Sequence, residues 1–373
     1  MAENWKISIT NPSVGEEEAR AVADVVRSGW LSAGPNLAEF EKEFARRSGT
    51  KDAVALCNGT AALHAMLVAS GIGPGDEVIV PGITFISTAT SVVHAGATPV
   101  FADVDAATLN MRPQAIEPLV TKRTKAVMPV HYAGQSADMD EILDVGRRLG
   151  LTVFEDAAQA HGASYRGRQV GSLGRAAMFS FTPNKNITTG EGAMVTTSDE
   201  GIADRLRMLR NHGSRGTYPY EMIGYNFRMT EIQAAVGRVQ LGKLTAILAR
   251  KKALAERLAS RLKNIPGIGL PTWREDRSQC HQLFTLRIRN EAGVSRDEMM
   301  ERLGRDSIQT RIYFPPCYTQ PPLRRYLLPD QVLPNCDALA GEIMTLPLHA
   351  RLTDDDADFM ADRVTKIVAK TRR

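Results

Sequence analysis

Lys185 stands alone in "FSFTPNKNITTGEGA", residues 179–193, a small, polar, glycine-flanked loop that follows an alternating apolar run. Most loop lysines are simply solvated. A primary amine delivered by the end of a buried strand can also form an imine with a carbonyl compound once its surroundings depress its basicity. Two further stretches hold groups that complement it. In "VFEDAAQAHGA" Glu155 and Asp156 end an apolar run, and Gln159 and His161 follow. A carboxylate there costs desolvation energy unless a cation or donor pairs with it, although the same acids could cap a helix. His161 by itself reads as a semi-buried histidine. In "CNGTAALH" Gly59 and Thr60 open a helix whose N–H groups and hydroxyl suit a phosphate, while Asn-Gly-Thr is also a common turn and cap. Taken with Ser180, these are a phosphate cradle, an acid able to keep a ring nitrogen protonated and an imine-forming lysine, the parts that bind pyridoxal phosphate.

Such groups meet only if the chain brings them to the carboxyl ends of neighbouring strands. From about residue 50 to 200, short apolar runs ("DEVIVP", "TPVFADVD", "KAVMPVH", "LTVFED", "AAMFSF", "AMVTT") alternate with longer amphipathic stretches. Strands buried on both faces and interleaved with helices predict an α/β fold with a largely parallel sheet. "NGTAALHAMLVASG" predicts a helix stopped at Gly71, and "DMDEILDVGRRLG" one stopped at Gly150 with two arginines in its last turn. "RMTEIQAAVGRVQLGKLTAILARKKALAERLASRLK" predicts one or two long helices. Beyond it, "QLFTLRIRN" and "SIQTRIYF" read as strands, "SRDEMMERLG" as a helix starting near Ser295, and "TDDDADFMADRVTKIVAK" as a helix capped by Thr353. The division expected is a large α/β domain over 1–245 and a smaller C-terminal α+β domain over 246–373.

Composition narrows the chemistry. With 43% hydrophobic and 24% charged residues and a net charge of +4, the 373 residues describe an ordinary globular chain, and no long basic block or aromatic-studded stripe points to nucleic acid. The terminal "KTRR" reads as a frayed tail. Cys57, Cys280, Cys317 and Cys336 have neither disulfide-framework nor CxxC spacing, and the seven histidines form no HxxxH or HExxH pair, so no metal site is expected. The start "MAENWKISIT" has no signal-peptide pattern and no apolar run approaches the roughly 18 residues of a membrane span. A cytoplasmic protein is expected. Walker, G-x-S-x-G and G-x-G-x-x-G motifs are absent, which removes ATP hydrolysis, serine hydrolysis and Rossmann chemistry from the leading readings.

Across nearly its whole length, through "NGTAALHAML", "GIGPGDEVIVPGITFISTATSVVHAGATPVFADVD", "TKAVMPVHYAGQSADMDEI", "VFEDAAQAHGASYRGR", "GSLG", "FSFTPNKNITTGEGAMVTT", "GYNFRMTEIQAA" and "LPLHARLT", the chain resembles the DegT/DnrJ/EryC1/StrS sugar aminotransferases. That resemblance implies the aspartate-aminotransferase-like architecture, fold type I of the pyridoxal phosphate enzymes. It implies that Lys185 carries the cofactor as an internal aldimine, that Asp156 pairs with the pyridinium nitrogen and Gln159 with the phenolic oxygen, and that Phe85 stacks on the ring. Gly59, Thr60 and Ser180 should bind the phosphate, with Asn226 reaching it from the other subunit of a homodimer that shares its active sites. The reaction implied is a ping-pong transfer from L-glutamate to the ketone of a nucleotide-diphosphate sugar, for aminosugars of surface polysaccharide or antibiotics. A cyclitol ketone of the scyllo-inosose type, or a non-catalytic regulatory relative, are the alternatives. Arg228, His161 and Tyr318 are the candidate substrate contacts, and loops near 210–225 and 311–326 are expected to supply the substrate pocket. The chain departs from the family pattern at Ala193, where GEGG is common, at Arg175 after "GSLG", where many members have aspartate, and at Tyr318, near a common histidine. Lys185 argues against the dehydratase branch, which carries histidine there.

Overall fold

The computed structural model describes residues 5–216 and 218–371. Met1–Asn4 of the "MAENWKISIT" start, Thr217 of the 210–225 loop, and Arg372 and Arg373 of the "KTRR" tail lie outside the described residues; Lys370 and Thr371 end the last helix.

Seven strands form one sheet in the spatial order Asp52–Leu56, Ala193–Thr197, Ala176–Ser180, Thr152–Asp156, Thr124–Val127, Glu77–Pro81, Thr98–Ala102. Only Ala193–Thr197 runs against its neighbours; the other six strands point the same way. The expected largely parallel sheet is therefore present. Asp52–Leu56 is an addition, because its small residues gave no clear apolar run.

Period-two alternation divides the strand residues between two cores. Val54, Leu56, Val78, Val80, Phe101, Phe154 and Met178 face one side and pack on the helices Gly59–Ala69, Ile86–His94 and Glu200–Leu209. Ala53, Ala55, Ile79, Val100, Val153 and Phe179 face the other, against Pro35–Ser48, Met139–Leu149 and the first half of Glu231–Leu262. A three-layer α/β/α unit results, in which helix stops act as read: Gly150 takes φ 67° at its helix end and Gly71 takes φ 84° one residue beyond Ser70.

The long amphipathic stretch is one 32-residue helix, Glu231–Leu262, which runs unbroken past residue 245. Its last turns join a third core with Phe284, Leu286, Met344, Leu346, Met360 and Val364, built on the antiparallel strands Ile268–Gly269, Phe284–Ile288 and Ile343–Leu346. Ile7, from the beginning of the chain, also packs in this core. Ser295 and Thr353 cap the helices Arg296–Arg305 and Asp354–Thr371 through N–H donations from Glu298 and Asp356 at 3.2 and 3.0 Å. "SIQTRIYF" is not a strand: it makes only isolated bridges, Ile308 with Ile7 and Arg311 with Thr345. β-Branched composition favours extended backbone, but a ladder needs a continuous partner, and none runs beside this segment.

Candidate active site

At the carboxyl ends of the parallel strands a pocket of about 720 Å³ is lined by Gly59, Thr60, Phe85, Asp156, Gln159, Ser180 and Lys185. That volume suits a cofactor with its substrate. Its floor begins at the helix Gly59–Ala69. The first N–H groups of a helix have no partner within it. Here Asn58 takes the donations from Ala61 (to Oδ1, 2.9 Å) and Ala62 (to the backbone carbonyl, 3.0 Å), which leaves the Gly59 and Thr60 N–H groups for a ligand. A Cβ on Gly59 would sit 3.4 Å from Ser180 Cβ and Oγ, so glycine keeps the cleft between helix and strand end open. Thr60 Oγ1 lies 2.8 Å from Ser87 Oγ, adding a hydroxyl pair to the rim.

Glu155 and Asp156 diverge because successive strand residues point to opposite faces. Glu155 turns away from the pocket. Its carboxylate accepts from the N–H groups of Gly171, Leu173 and Gly174 at 2.9, 2.9 and 2.7 Å and from His131 Nε2 at 2.9 Å. His131 Nδ1 accepts from Ala137 N at 3.0 Å, so the ring is the neutral Nε2–H tautomer. The "GSLG" motif is therefore a backbone wrap around a buried carboxylate. Asp156 faces the pocket, with Thr88 Oγ1 donating to Oδ2 at 2.7 Å and Ala158 N to Oδ1 at 3.1 Å. Since Thr88 spends its proton there, it accepts from Thr84 Oγ1, 2.8 Å away. Burial pushes the Asp156 carboxyl above the usual range, while Thr88 and Ala158 work against the rise. A buried acid in that condition fits a protonated ring nitrogen, which supplies the missing cation.

Gln159 is oriented by its neighbours. Its Oε1 accepts from Ala133 N at 3.0 Å, so the amide NH₂ is the end left for the pocket. That donor suits an anionic oxygen. Lys185 is half-buried, and burial lowers its basicity to about 8, opposed by Asp156 and Cys280. Segment 280–282 braces both groups: Cys280 N and Gln282 N donate to the Gly134 and Ala133 carbonyls at 3.1 and 2.9 Å, and Gln282 Nε2 donates to the Asn184 carbonyl at 2.5 Å. An amine of lowered basicity, a buried acid, an amide donor and an anion cradle thus share one cleft. They fit pyridoxal phosphate.

Four candidates do not line this pocket. Asn226 is exposed at the surface. Arg228 donates to Asn211 Oδ1 at 2.9 Å and pairs its backbone with Leu56. His161, 1% exposed, packs against Phe179 and Phe181 with ring centroids 5.4 and 5.6 Å apart, on the opposite face of the sheet. Neither of its nitrogens has a hydrogen bond of acceptable geometry. Tyr318 is buried against Phe101 and donates its hydroxyl to Asp337. Packing turns the rings of His161 and Tyr318, both offered as substrate contacts, into the core. In the 311–326 loop, Tyr313 and Phe314 line the pocket instead, with Phe314 5.8 Å from Phe85. Arg175 has a structural role, holding Asp199, the N-cap of Glu200–Leu209, at 3.0 Å. Ala193 is fully buried in the sheet. Sequence reasoning missed Thr88, Thr84 and Ser87 as site residues; the hydroxyl cluster of "TFISTAT" is the signal that could have found them. Among the described residues no cluster of His, Cys, Asp and Glu could hold a metal ion.

The fold and this constellation define an enzyme of the aspartate-aminotransferase-like, pyridoxal phosphate-dependent class. The chain belongs to the DegT/DnrJ/EryC1/StrS aminotransferase family, whose model matches residues 12–365. It is 43% identical over 372 residues to the spore coat polysaccharide biosynthesis protein SpsC of Bacillus subtilis (96% of each chain covered). It is 42% identical over 364 residues to the GDP-perosamine synthase of Caulobacter vibrioides, with 96% of this chain and 97% of that one covered. Among solved structures, DesV of S. venezuelae in complex with a ketimine intermediate matches with a TM-score of 0.90 and 40% identity over 94% of each chain.

Proposed function

We propose that this aminotransferase moves the amino group of L-glutamate to the ketone of a nucleotide-diphosphate sugar, a 4-keto-6-deoxyhexose, in two half-reactions of ping-pong form. One observation carries the reading: Lys185, Asp156, Gln159 and the Gly59–Thr60–Ser180 cradle line one pocket, in a chain 42% identical to a GDP-perosamine synthase. The cradle would hold the cofactor phosphate, Asp156 would keep the ring nitrogen protonated, Gln159 would donate to the phenolic oxygen, and Phe85 would cover the ring face. When bound, the cofactor supplies an electron sink for negative charge at the substrate carbon. Lys185 Nζ would hold the cofactor and serve as the base for the α-carbon proton of glutamate. Its low basicity leaves much of it neutral near pH 8. Phe85, Tyr313 and Phe314 give the sugar an aromatic wall.

The working unit in this reading is a homodimer in which Asn226 of each subunit completes the other's phosphate site. Its exposure outside its own pocket, and the exposed Tyr218, Tyr220 and Ile223 on the same loop, support that arrangement. The four unpaired cysteines fit a reducing cytoplasm. Among the described residues no helix is long and apolar enough to cross a membrane.

The first measurement is the visible spectrum of the protein supplied with pyridoxal phosphate, followed by borohydride reduction and peptide mass mapping. We expect a yellow band that L-glutamate bleaches and 4-keto-6-deoxyhexose nucleotides restore, and a reduced adduct on Lys185 that is missing from Lys185→Ala. Restoration by a cyclitol ketone alone would replace the substrate assignment. Failure to take up the cofactor would overturn the whole reading.

A further inference from the structure

Behind half-buried Lys185 lies a buried lysine. Lys251, on the helix Glu231–Leu262, is 3% exposed, and its ammonium donates to Asn186 Oδ1 at 2.5 Å and to the Gln282 carbonyl at 3.3 Å. Both acceptors are neutral, and among the described residues Lys251 forms no ion pair. A buried ammonium without a carboxylate is costly, and a neutral methionine or leucine would pack at that position at lower cost. The burial of a charge here is therefore informative.

The hydrogen bonds show what the residue touches. Asn186 is tied on both sides, accepting from Lys251 and donating through Nδ2 to the Cys280 carbonyl at 3.0 Å. Asn184, on the other side of Lys185, gives its carbonyl to Gln282 Nε2, and Gln282 in turn accepts from Lys251. The two neighbours of Lys185 are thus clamped through one ammonium. Both lysines also line one small cavity, of about 30 Å³, with Gln282 and His349 at its border. Gln282 Oε1 and both His349 nitrogens have no protein partner there, and the cavity has room for a water or two.

We propose that Lys251 is a positioning residue for Lys185: it clamps the loop that presents the amine and keeps a second positive charge beside it that opposes its protonation. The inference rests on the reading of Lys185 as the imine-forming residue. The titratable groups around the pair support it. Asp156, Cys280 and His161 face Lys185; Cys280, His161, His281 and His349 surround Lys251. Burial pushes Cys280 up to about 12, His161 down to about 3, and His281 and His349 down to about 4. These four are neutral between about pH 6 and 10, where the two lysines, each brought to about 8 chiefly by burial, change charge; the Lys185 charge disfavours protonation of Lys251, and a Coulomb repulsion between two groups acts on both.

The test reads the apoprotein, so that it does not depend on cofactor chemistry. Trace acylation with acetic anhydride across pH 6.5–10, quantified by mass spectrometry of the peptide holding Lys185 against a free reference amine, gives the midpoint of that amine directly. Wild type should label with a midpoint near 8. In Lys251→Met the midpoint rises by about one pH unit, because a like charge within reach no longer disfavours the ammonium form. Lys251→Arg keeps the charge and holds the midpoint within about 0.3 unit of wild type. Should Lys251→Met fail to fold, Lys251→Gln, which retains a donor without the charge, takes its place and is expected to behave as Met does. An unchanged midpoint in the neutral variants, or an equal rise in the arginine variant, overturns the proposal. A wild type that forms no cofactor adduct but shows the expected midpoints would instead sink the functional reading, and with it the positioning role, while leaving the coupling of the two lysines shown.

Discussion

His161 lies five residues beyond Asp156, yet packs between Phe179 and Phe181 while Asp156 opens into the cleft. Burial, then the charges of Lys185 and Lys251, bring its basicity to about 3. The unfolded ring protonates near pH 6.5 and the folded ring only near 3. Stability from this group is therefore present above about pH 6.5 and is lost as pH falls toward 3, by up to about 4 kcal/mol. We expect His161→Phe, which keeps an aromatic ring there, to flatten the acid side of the stability–pH curve in urea titrations between pH 4 and 7 while the cofactor band survives. Loss of that band would return His161 to the pocket. That Lys185, Asp156, Gln159, Gly59 and Thr60 meet in one cleft was legible in the sequence, because their types complement one another chemically at strand and helix ends. The inward turn of His161 and Tyr318 was not, because residue type does not say whether a ring turns into a cleft or into a core.

At the level of elements, two backbone caps organise the large unit. The "GSLG" wrap holds Glu155, and Glu231 does the converse for a helix. Its carboxylate, 1% exposed, accepts from the N–H groups of Gly34, Asn36 and Leu37 at 3.0, 2.9 and 2.8 Å, and so caps the positive end of Pro35–Ser48 from the start of the long helix. Glu231→Ala leaves three donors short of an acceptor. The expected cost is about 2–4 kcal/mol, seen as a lower thermal midpoint, with Glu231→Gln intermediate because it keeps one acceptor. Periodicity and caps made most strands and the Ser295 and Thr353 helix starts readable. "SIQTRIYF" shows where that reading ends, since its pattern is strand-like but no neighbour supplies a ladder.

For the whole molecule, the proposed sharing of sites between subunits makes a quantitative expectation. Asn226→Asp places a negative charge opposite the cofactor phosphate and should weaken cofactor uptake. Unfolding and refolding an equal mixture of Lys185→Ala and Asn226→Asp should regain about a quarter of wild-type activity, because half of the dimers are mixed and each has one intact site. An Asn226 acting within its own subunit would leave every site in the mixture damaged, and activity would stay at the level of the single variants. By itself, the sequence determined the α/β class, the run of buried strands and the residue types able to bind and work pyridoxal phosphate, because burial pattern, caps and side-chain chemistry are local properties. Only the tertiary structure decided that Glu155 is wrapped while Asp156 opens into the pocket, that Thr88 and the 280–282 segment brace the site, and that Lys251 stands behind Lys185. Those outcomes depend on which distant segments meet, and meeting is settled by packing across the sheet rather than by spacing along the chain.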